Sequence, residues 1–482
     1  MMHPKIQSIL KFANFINGKW LDSGSGDFFE VQDKYSQELI AKVPMASAAQ
    51  VESAIVAAES AFGEMKKWSA ETRRAYLEKV VLGLQKQKEA FAQLIAAEAG
   101  KPISYARSEV ARCIITLNTA IDHILHFGGE VVNVDYGAGT GRTAFTKRVP
   151  LGPIACISPF NFPLNLALHK VAPALALGCP VLLKPSPFAP LSCLAFAHLC
   201  EQAGYPAGAL NVFLAAIPEA ECLVTDDRLK LLSFTGSPQV GWHLKAKAGK
   251  KRVILELGGN AAVIVDETVD LATTAKQVAI GSFLYAGQIC ISTQRIFVQR
   301  EVFAEFRTLL VQETEALAVG DPRDEQVWVG PLIDQIHLDR VANWVEEAIA
   351  GGAQLLCGGK IRSAEKMLYA PTLLTNTKPE MKVVCEEMFG PVAVVEAVDS
   401  YAEALNRVND SIFGLQAGVF TNRLDRLKLA METLEVGGIM INNIPGFRVD
   451  GMPYGGVKDS GLGREGIKYA MEDMTEPRLL VY

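Results

Sequence analysis

Between residues 151 and 256, short apolar runs alternate with longer stretches of helical spacing. Ile154-Ala155-Cys156-Ile157, Val181-Leu182-Leu183-Lys184, Asn211-Val212-Phe213, Leu231-Leu232-Ser233-Phe234 and Val253-Ile254-Leu255 have strand length and character, while residues 163–178, 190–203 and 237–248 have helical periodicity. Such alternation predicts right-handed βαβ units and a mostly parallel sheet whose ligands sit at the carboxyl ends of the strands. A second alternating region begins at Ala262-Val263-Ile264-Val265, with helices expected over 269–284 and 335–351 and a strand over 295–298. Ahead of both, Asn17-Gly18 between two apolar pairs predicts a hairpin, and residues 47–127 predict three helices: one after Ser47, one over 71–100 and one over about 104–127. Residues 128–150 turn to Gly, Val and Thr and alternate like a protruding ribbon, and the last residues, Arg478 to Tyr482, have strand character.

Composition narrows the class. The chain has 482 residues, 49% hydrophobic and 21% charged, as expected of a soluble multi-domain enzyme, and a net charge of −6 provides no basic surface for nucleic acid. Nine Cys without CxxC pairs or Cys/His spacing predict no metal site, no disulfide framework and a reducing compartment. Neither a signal-like segment nor a long apolar run is present, so a cytoplasmic location without membrane contact is expected.

Two residues carry the chemistry. Glu256 ends an apolar run and enters Leu257-Gly258-Gly259; Cys290 lies in Gly287-Gln288-Ile289-Cys290 between helix-like and strand-like stretches. A thiol can attack a carbonyl carbon, and a carboxylate can then take a proton from water. The dinucleotide fingerprint GxGxxG is absent. Its place is taken by Phe234-Thr235-Gly236-Ser237 at a strand-to-helix junction, where free N–H groups can face a phosphate.

These stretches, with Ser158-Pro159-Phe160-Asn161-Phe162-Pro163, Leu183-Lys184-Pro185-Ser186, Glu387-Met388-Phe389-Gly390-Pro391 and Pro453-Tyr454-Gly455-Gly456, resemble the NAD(P)-dependent aldehyde dehydrogenase superfamily over nearly the whole chain. The resemblance implies an α/β fold: a Rossmann-like NAD(P)-binding domain over 1–127 and 150–258, a catalytic domain over 259–460, and oligomerisation segments at 128–149 and 461–482. It implies Cys290 as nucleophile, Asn161 as oxyanion donor and Glu256 as base. It implies a coenzyme site of Ser158, Pro159, Phe160, Lys184, Ser186, Pro187, Gly236, Ser237, Leu257, Glu387 and Phe389, serving NAD or NADP. It also implies a homodimer or homotetramer.

Two departures from the commonest pattern bear on specificity. NAD-preferring members carry Glu three residues after the ribose-binding Lys, where this chain has Pro187, so no carboxylate repels a 2′-phosphate. Members acting on phosphorylated aldehydes carry Arg before the nucleophile, where this chain has Ile289. With Arg112, Phe162, Phe447 and Arg448 as further candidates for substrate contact, a small hydroxylated or mono-acid aldehyde is expected. Rival readings are a coenzyme A-acylating dehydrogenase, which Glu256 opposes, and a silent binding protein on the same fold, which the intact Cys290, Glu256 and Asn161 oppose.

Overall fold

The computed structural model describes residues 4–24 and 26–482. The Asn17-Gly18 turn joins strands Asn14–Ile16 and Lys19–Leu21 with positive φ at both residues, the mirror-image turn that suits strand twist. Those strands edge an eight-stranded sheet. Next to them come Leu210–Val212, Val181–Lys184, Ile154–Ile157, Leu231–Thr235 and Arg252–Glu256, all parallel, and then Gly461–Leu462, antiparallel. The strand order reverses between Ile154–Ile157 and Leu231–Thr235, because the chain winds outward from there in both directions. Crevices form at such a switch point, beyond the carboxyl ends of the strands. The register aligns Ile157 with Lys184 and with Phe234, and Thr235 with Glu256, so the residues that follow each strand share one level.

The second sheet has seven strands in the order Gln354–Cys357, Thr372–Thr375, Val392–Val398, Arg295–Gln299, Ala262–Val265, Gln416–Phe420 and Gly438–Ile441; all but the first pair are parallel. Helix Leu271–Phe283 leads from this sheet toward Cys290. A third sheet joins Thr475–Val481, Ala144–Pro150 and Val131–Val132 antiparallel, so the C-terminal strand starts at Thr475 and pairs along the ribbon of its own chain.

The single helix expected over 71–100 is two, Ala70–Lys86 and Lys88–Ala99, broken at Gln87. The first buries one stripe, Leu77, Val80, Val81 and Leu84, whereas nearly all of Ala90–Ala99 is buried. Gln87, at φ −111° and ψ 11°, leaves the helical region and separates the half-exposed helix from the fully packed one. No helix among the described residues is long and apolar enough to cross a membrane.

Candidate active site

Glu256 closes its strand with 3% of its surface exposed, and neither carboxyl oxygen has a hydrogen-bond partner among the described residues. Burial, reinforced by nearby Glu465, pushes this carboxyl well above the ordinary range.

Cys290 follows a strained turn. Tyr285, Ala286 and Gly287 all have positive φ, near 55°, 54° and 67°. For the two non-glycine residues this costs about 1–3 kcal/mol each and must be held in place. The holders are visible. Tyr285 Oη donates to the Ala99 carbonyl at 2.8 Å, and the Gln288 amide nitrogen donates to Tyr285 and Pro331 carbonyls at 3.3 and 3.1 Å while its oxygen accepts from Ile333 N–H at 2.9 Å. Gly287 is required both by its φ and by close approach, since a Cβ there would lie 2.2 Å from the Gly390 carbonyl. The loop delivers the Cys290 sulfur to 3.1 Å from Tyr454 Oη. Burial pushes the thiol up to about 12, opposed by the Tyr454 hydrogen bond and Arg448 and reinforced by Glu387 and Glu256.

Asn161, 4% exposed, donates from its side-chain nitrogen to the Gln288 carbonyl at 2.9 Å. An amide nitrogen carries two hydrogens, so one remains for a ligand. The Asn161 turn is anchored by Glu109, which accepts Leu164 and Asn165 N–H groups at 3.1 Å each, and Glu109 is ion-paired in full burial with Lys101. The Cys290 N–H has no acceptor among the described residues.

The residues expected to hold a dinucleotide gather around the switch point. Ser158 N–H donates to the Lys184 carbonyl at 3.2 Å, tying two strand ends together. Burial lowers the Lys184 ammonium with no carboxylate opposing it. Ser186 Oγ accepts Phe188 N–H at 3.4 Å, and Pro187 leaves that corner without acid. Ser237 precedes the ten-residue helix Pro238–Lys247 without capping it through its side chain, and the Trp242 N–H is buried without an acceptor. Leu257 N–H is taken by the Ser460 carbonyl at 3.0 Å. Glu387 accepts Gly259 N–H at 2.9 Å, and its other oxygen lies 2.3 Å from where a Cβ on Gly258 would sit, so a side chain there would displace the carboxyl. Burial raises the Glu387 carboxyl to about 7. Phe389 packs edge-on against Phe160 with ring centroids 5.9 Å apart. An uncompensated cation, spare N–H donors and a recessed carboxyl fit a group bearing phosphates and ribose hydroxyls, and would grip it without a metal.

The substrate candidates divide. Phe162 and Ile289 lie in one apolar cluster with Leu166, Tyr285, Tyr454 and, at its margin, Cys290. Arg112 binds Asp450 through Nη2 at 2.7 Å and flanks the Phe162 ring at 5.8 Å. The Arg448 side chain is 5% exposed, bound to Glu465 at 3.2 Å and stacked 3.7 Å over the Tyr454 ring. Phe447 is 44% exposed and lies outside that cluster.

The aldehyde dehydrogenase family model matches residues 20–480. The chain belongs to the aldehyde dehydrogenase family. It is an NAD(P)-dependent aldehyde oxidoreductase of that family's fold. It is 41% identical to the 3-sulfolactaldehyde dehydrogenase of Priestia aryabhattai, over 99% of both chains. It resembles the crystal structure of aldehyde dehydrogenase 21 from Physcomitrella patens in complex with the reaction product succinate (40% identity, 98% of each chain, TM-score 0.95). It also resembles the glyceraldehyde-3-phosphate dehydrogenase GapN from Methanocaldococcus jannaschii complexed with NADP (38% identity, 94% of this chain and 98% of that one, TM-score 0.90).

Beside the residues expected of an aldehyde dehydrogenase, the structure brings in a buried charge cluster that sequence reasoning missed. Lys170 donates to Glu465 at 2.8 Å and to Ser233 Oγ at 3.1 Å. Burial alone would raise the Glu465 carboxyl, but Lys170 and Arg448 outweigh it and hold it well below the ordinary value. Burial and Arg448 push His169 down to about 4, so the ring is neutral at pH 7. Its Nδ1 then accepts from Arg448 at 3.3 Å while Nε2 donates to Asp450 at 2.9 Å. One signal was legible: His169-Lys170 interrupts the otherwise apolar helix Asn165–Leu177, where a charge must be paired. Tyr454 was also missed as a partner of the thiol.

Proposed function

We propose that this aldehyde dehydrogenase oxidises a small hydroxylated or singly charged aldehyde, of the lactaldehyde or semialdehyde type, to its carboxylic acid through a covalent adduct on Cys290. The observation that carries the reading is the Cys290 thiol, accompanied by two under-satisfied groups: the spare hydrogen of Asn161 and the unpartnered Glu256 carboxyl. The Cys290 thiolate attacks the carbonyl carbon, forming a C–S bond. The oxygen takes up negative charge and is met by Asn161 Nδ2 and the Cys290 N–H, a pair worth several kcal/mol in a dry site. When bound, the oxidised nicotinamide supplies the two-electron acceptor that leaves a thioester on Cys290. Glu256 then takes a proton from water; the new C–O bond forms, the C–S bond breaks and the thiolate is regenerated. Lys184 and Ser237 would bind the ribose hydroxyls and phosphates of the adenosine half, and Glu387 the nicotinamide ribose.

The charge cluster supports the substrate class. Lys170, Arg112 and Arg448 ion-pair with Glu465 and Asp450 and His169 is neutral, so this set of side chains carries one net positive charge, which also acts on Glu256. One surplus charge suits one anionic or hydroxyl group and serves a dianion poorly. The relatives named for 3-sulfolactaldehyde and crystallised with succinate agree with that class. Lys184 without a counter-charge, beside Pro187, favours acceptance of NADP as well as NAD, in line with the NADP-bound relative.

Residues 1–127 and 150–258 are assigned to the coenzyme domain, 259–460 to the catalytic domain, and 128–149 and 461–482 to oligomerisation, with Gly461–Leu462 reaching back to the first sheet. The three-stranded sheet exposes Val131, Leu479 and Leu480, which supports assembly into a homodimer or homotetramer. Nine thiols without a disulfide support a cytoplasmic setting. The test is NADH and NADPH formation across aldehydes bearing none, one or two negative charges. Activity confined to phosphorylated aldehydes would overturn the substrate class, and an unchanged oligomer after deletion of 475–482 would overturn the interface.

A further inference from the structure

Tyr454 has no place in the mechanism above, yet it is the side chain whose polar atom meets the reacting sulfur. Its backbone is clamped by a two-way bridge to Glu465, N–H to carbonyl at 3.0 Å and carbonyl from N–H at 2.6 Å. Its ring is 4% exposed, so water does not compete for the hydroxyl. Across the ring face lies the Arg448 guanidinium at 3.7 Å, itself held by Glu465 and His169. A cation over a phenol face draws electron density from the ring and makes the O–H a better donor.

The direction of the hydrogen bond depends on the charge of the sulfur. With a neutral thiol, either atom can donate; with a thiolate, only the phenol can. The bond from the phenol to a thiolate is charge-assisted and stronger than either bond to a neutral thiol, so it favours the charged form. We infer that Tyr454, with Arg448 stacked on its ring, is a catalytic donor to Cys290, stabilising the thiolate that attacks the aldehyde and the same thiolate when the thioester is hydrolysed. This rests on Cys290 being the nucleophile. In each passage the phenol keeps its proton: the electron pair moves between sulfur and carbon, and the O–H follows the negative charge. The groups acting on this pair are Glu256 at its strand end, Glu387 at the Gly259 turn, Tyr105 on the Phe162 side and Arg448. The carboxylates and burial oppose the thiolate; Tyr454 and Arg448 counter them.

The test is the pH dependence of Cys290 alkylation by iodoacetamide in the full-length protein, with and without saturating NADP. Tyr454→Phe keeps the ring and its stacked cation and removes only the hydroxyl. Since a hydrogen bond to a charged group contributes on the order of tenfold or more to an equilibrium, alkylation of the variant at pH 7 should slow at least about tenfold and recover above the thiol midpoint, which moves up. A ring-fluorinated tyrosine at position 454, a stronger donor of the same shape, should move the midpoint down, and it decides the matter should the Phe variant fold poorly. Midpoints that do not move, or alkylation slowed equally at every pH, overturn the proposal. Alkylation needs no turnover, so that failure leaves the nucleophile assignment standing, whereas an active Cys290→Ala variant removes both.

Discussion

Two buried carboxylates a short distance apart have opposite surroundings. Glu465 accepts from Lys170 and Arg448 and is held in its charged form; Glu256 has no partner for either oxygen and is pushed toward its neutral one. The contrast extends to their neighbourhoods. Around Glu465, both carboxylates of the cluster are ion-paired, and only the Arg448 Nε lacks a partner. Around Glu256, the Cys290 amide, one Asn161 hydrogen and the carboxyl itself are left open. Groups left unsatisfied in a dry pocket cost stability, and a fold keeps them where chemistry will use them. On the proposed mechanism the open groups are the machinery, while Glu465 and Lys170 are the paired support that holds Arg448 beside them.

The largest expected effect would sharpen that division. Cys290→Ala should cut turnover by on the order of 10⁴-fold or more while leaving coenzyme affinity and thermal midpoint close to the parent, because the thiol contributes chemistry and little packing. Turnover and calorimetry on the same sample check both halves. Glu465→Gln should do the reverse in kind. It leaves Lys170 and Arg448 buried and uncompensated, at a cost of about 3–5 kcal/mol, visible as a marked fall in thermal midpoint. For the parent, the stability owed to Glu465 is fully present above the ordinary carboxylate pKa and is lost as pH falls through its lowered value. A Glu465→Gln protein as stable as the parent would break the comparison. Asn161→Ala should come next, lowering kcat about 10²–10³-fold with KM little changed, since its free hydrogen meets the oxygen only as charge develops.

How legible was this in the sequence? The parallel sheet followed from the alternation over 151–256, and the candidate residues Ser158, Lys184, Gly236 and Glu256 stand at its strand ends, where α/β sheets place ligands. The strained turn before Cys290 was not legible: positive φ at Tyr285 and Ala286 is imposed by anchors as distant as Ala99 and Pro331. Nor was the pairing within the charge cluster, whose partners Arg112 and Asp450 lie 338 positions apart. Nothing in local spacing reports a contact made only when helix Ile103–His126 meets the loop carrying Asp450. The break at Gln87 was hidden for a related reason, since both halves have good helical spacing and only the core distinguishes their burial.

The central claim is that Glu256 is left unpaired in order to act as the hydrolytic base. Glu256→Gln should be as stable as the parent or slightly more so. A group whose carboxyl is raised on folding costs stability as pH rises from its unfolded value toward its folded one, and the amide removes that penalty. The decisive measurement is rapid mixing with aldehyde and oxidised coenzyme, followed by quenching and mass spectrometry. The account predicts a burst of about one reduced coenzyme per Cys290, then a stall, with an acyl adduct on Cys290, since an amide cannot take the proton from water. Near-parental steady turnover, or a burst that leaves no adduct on Cys290, would contradict it.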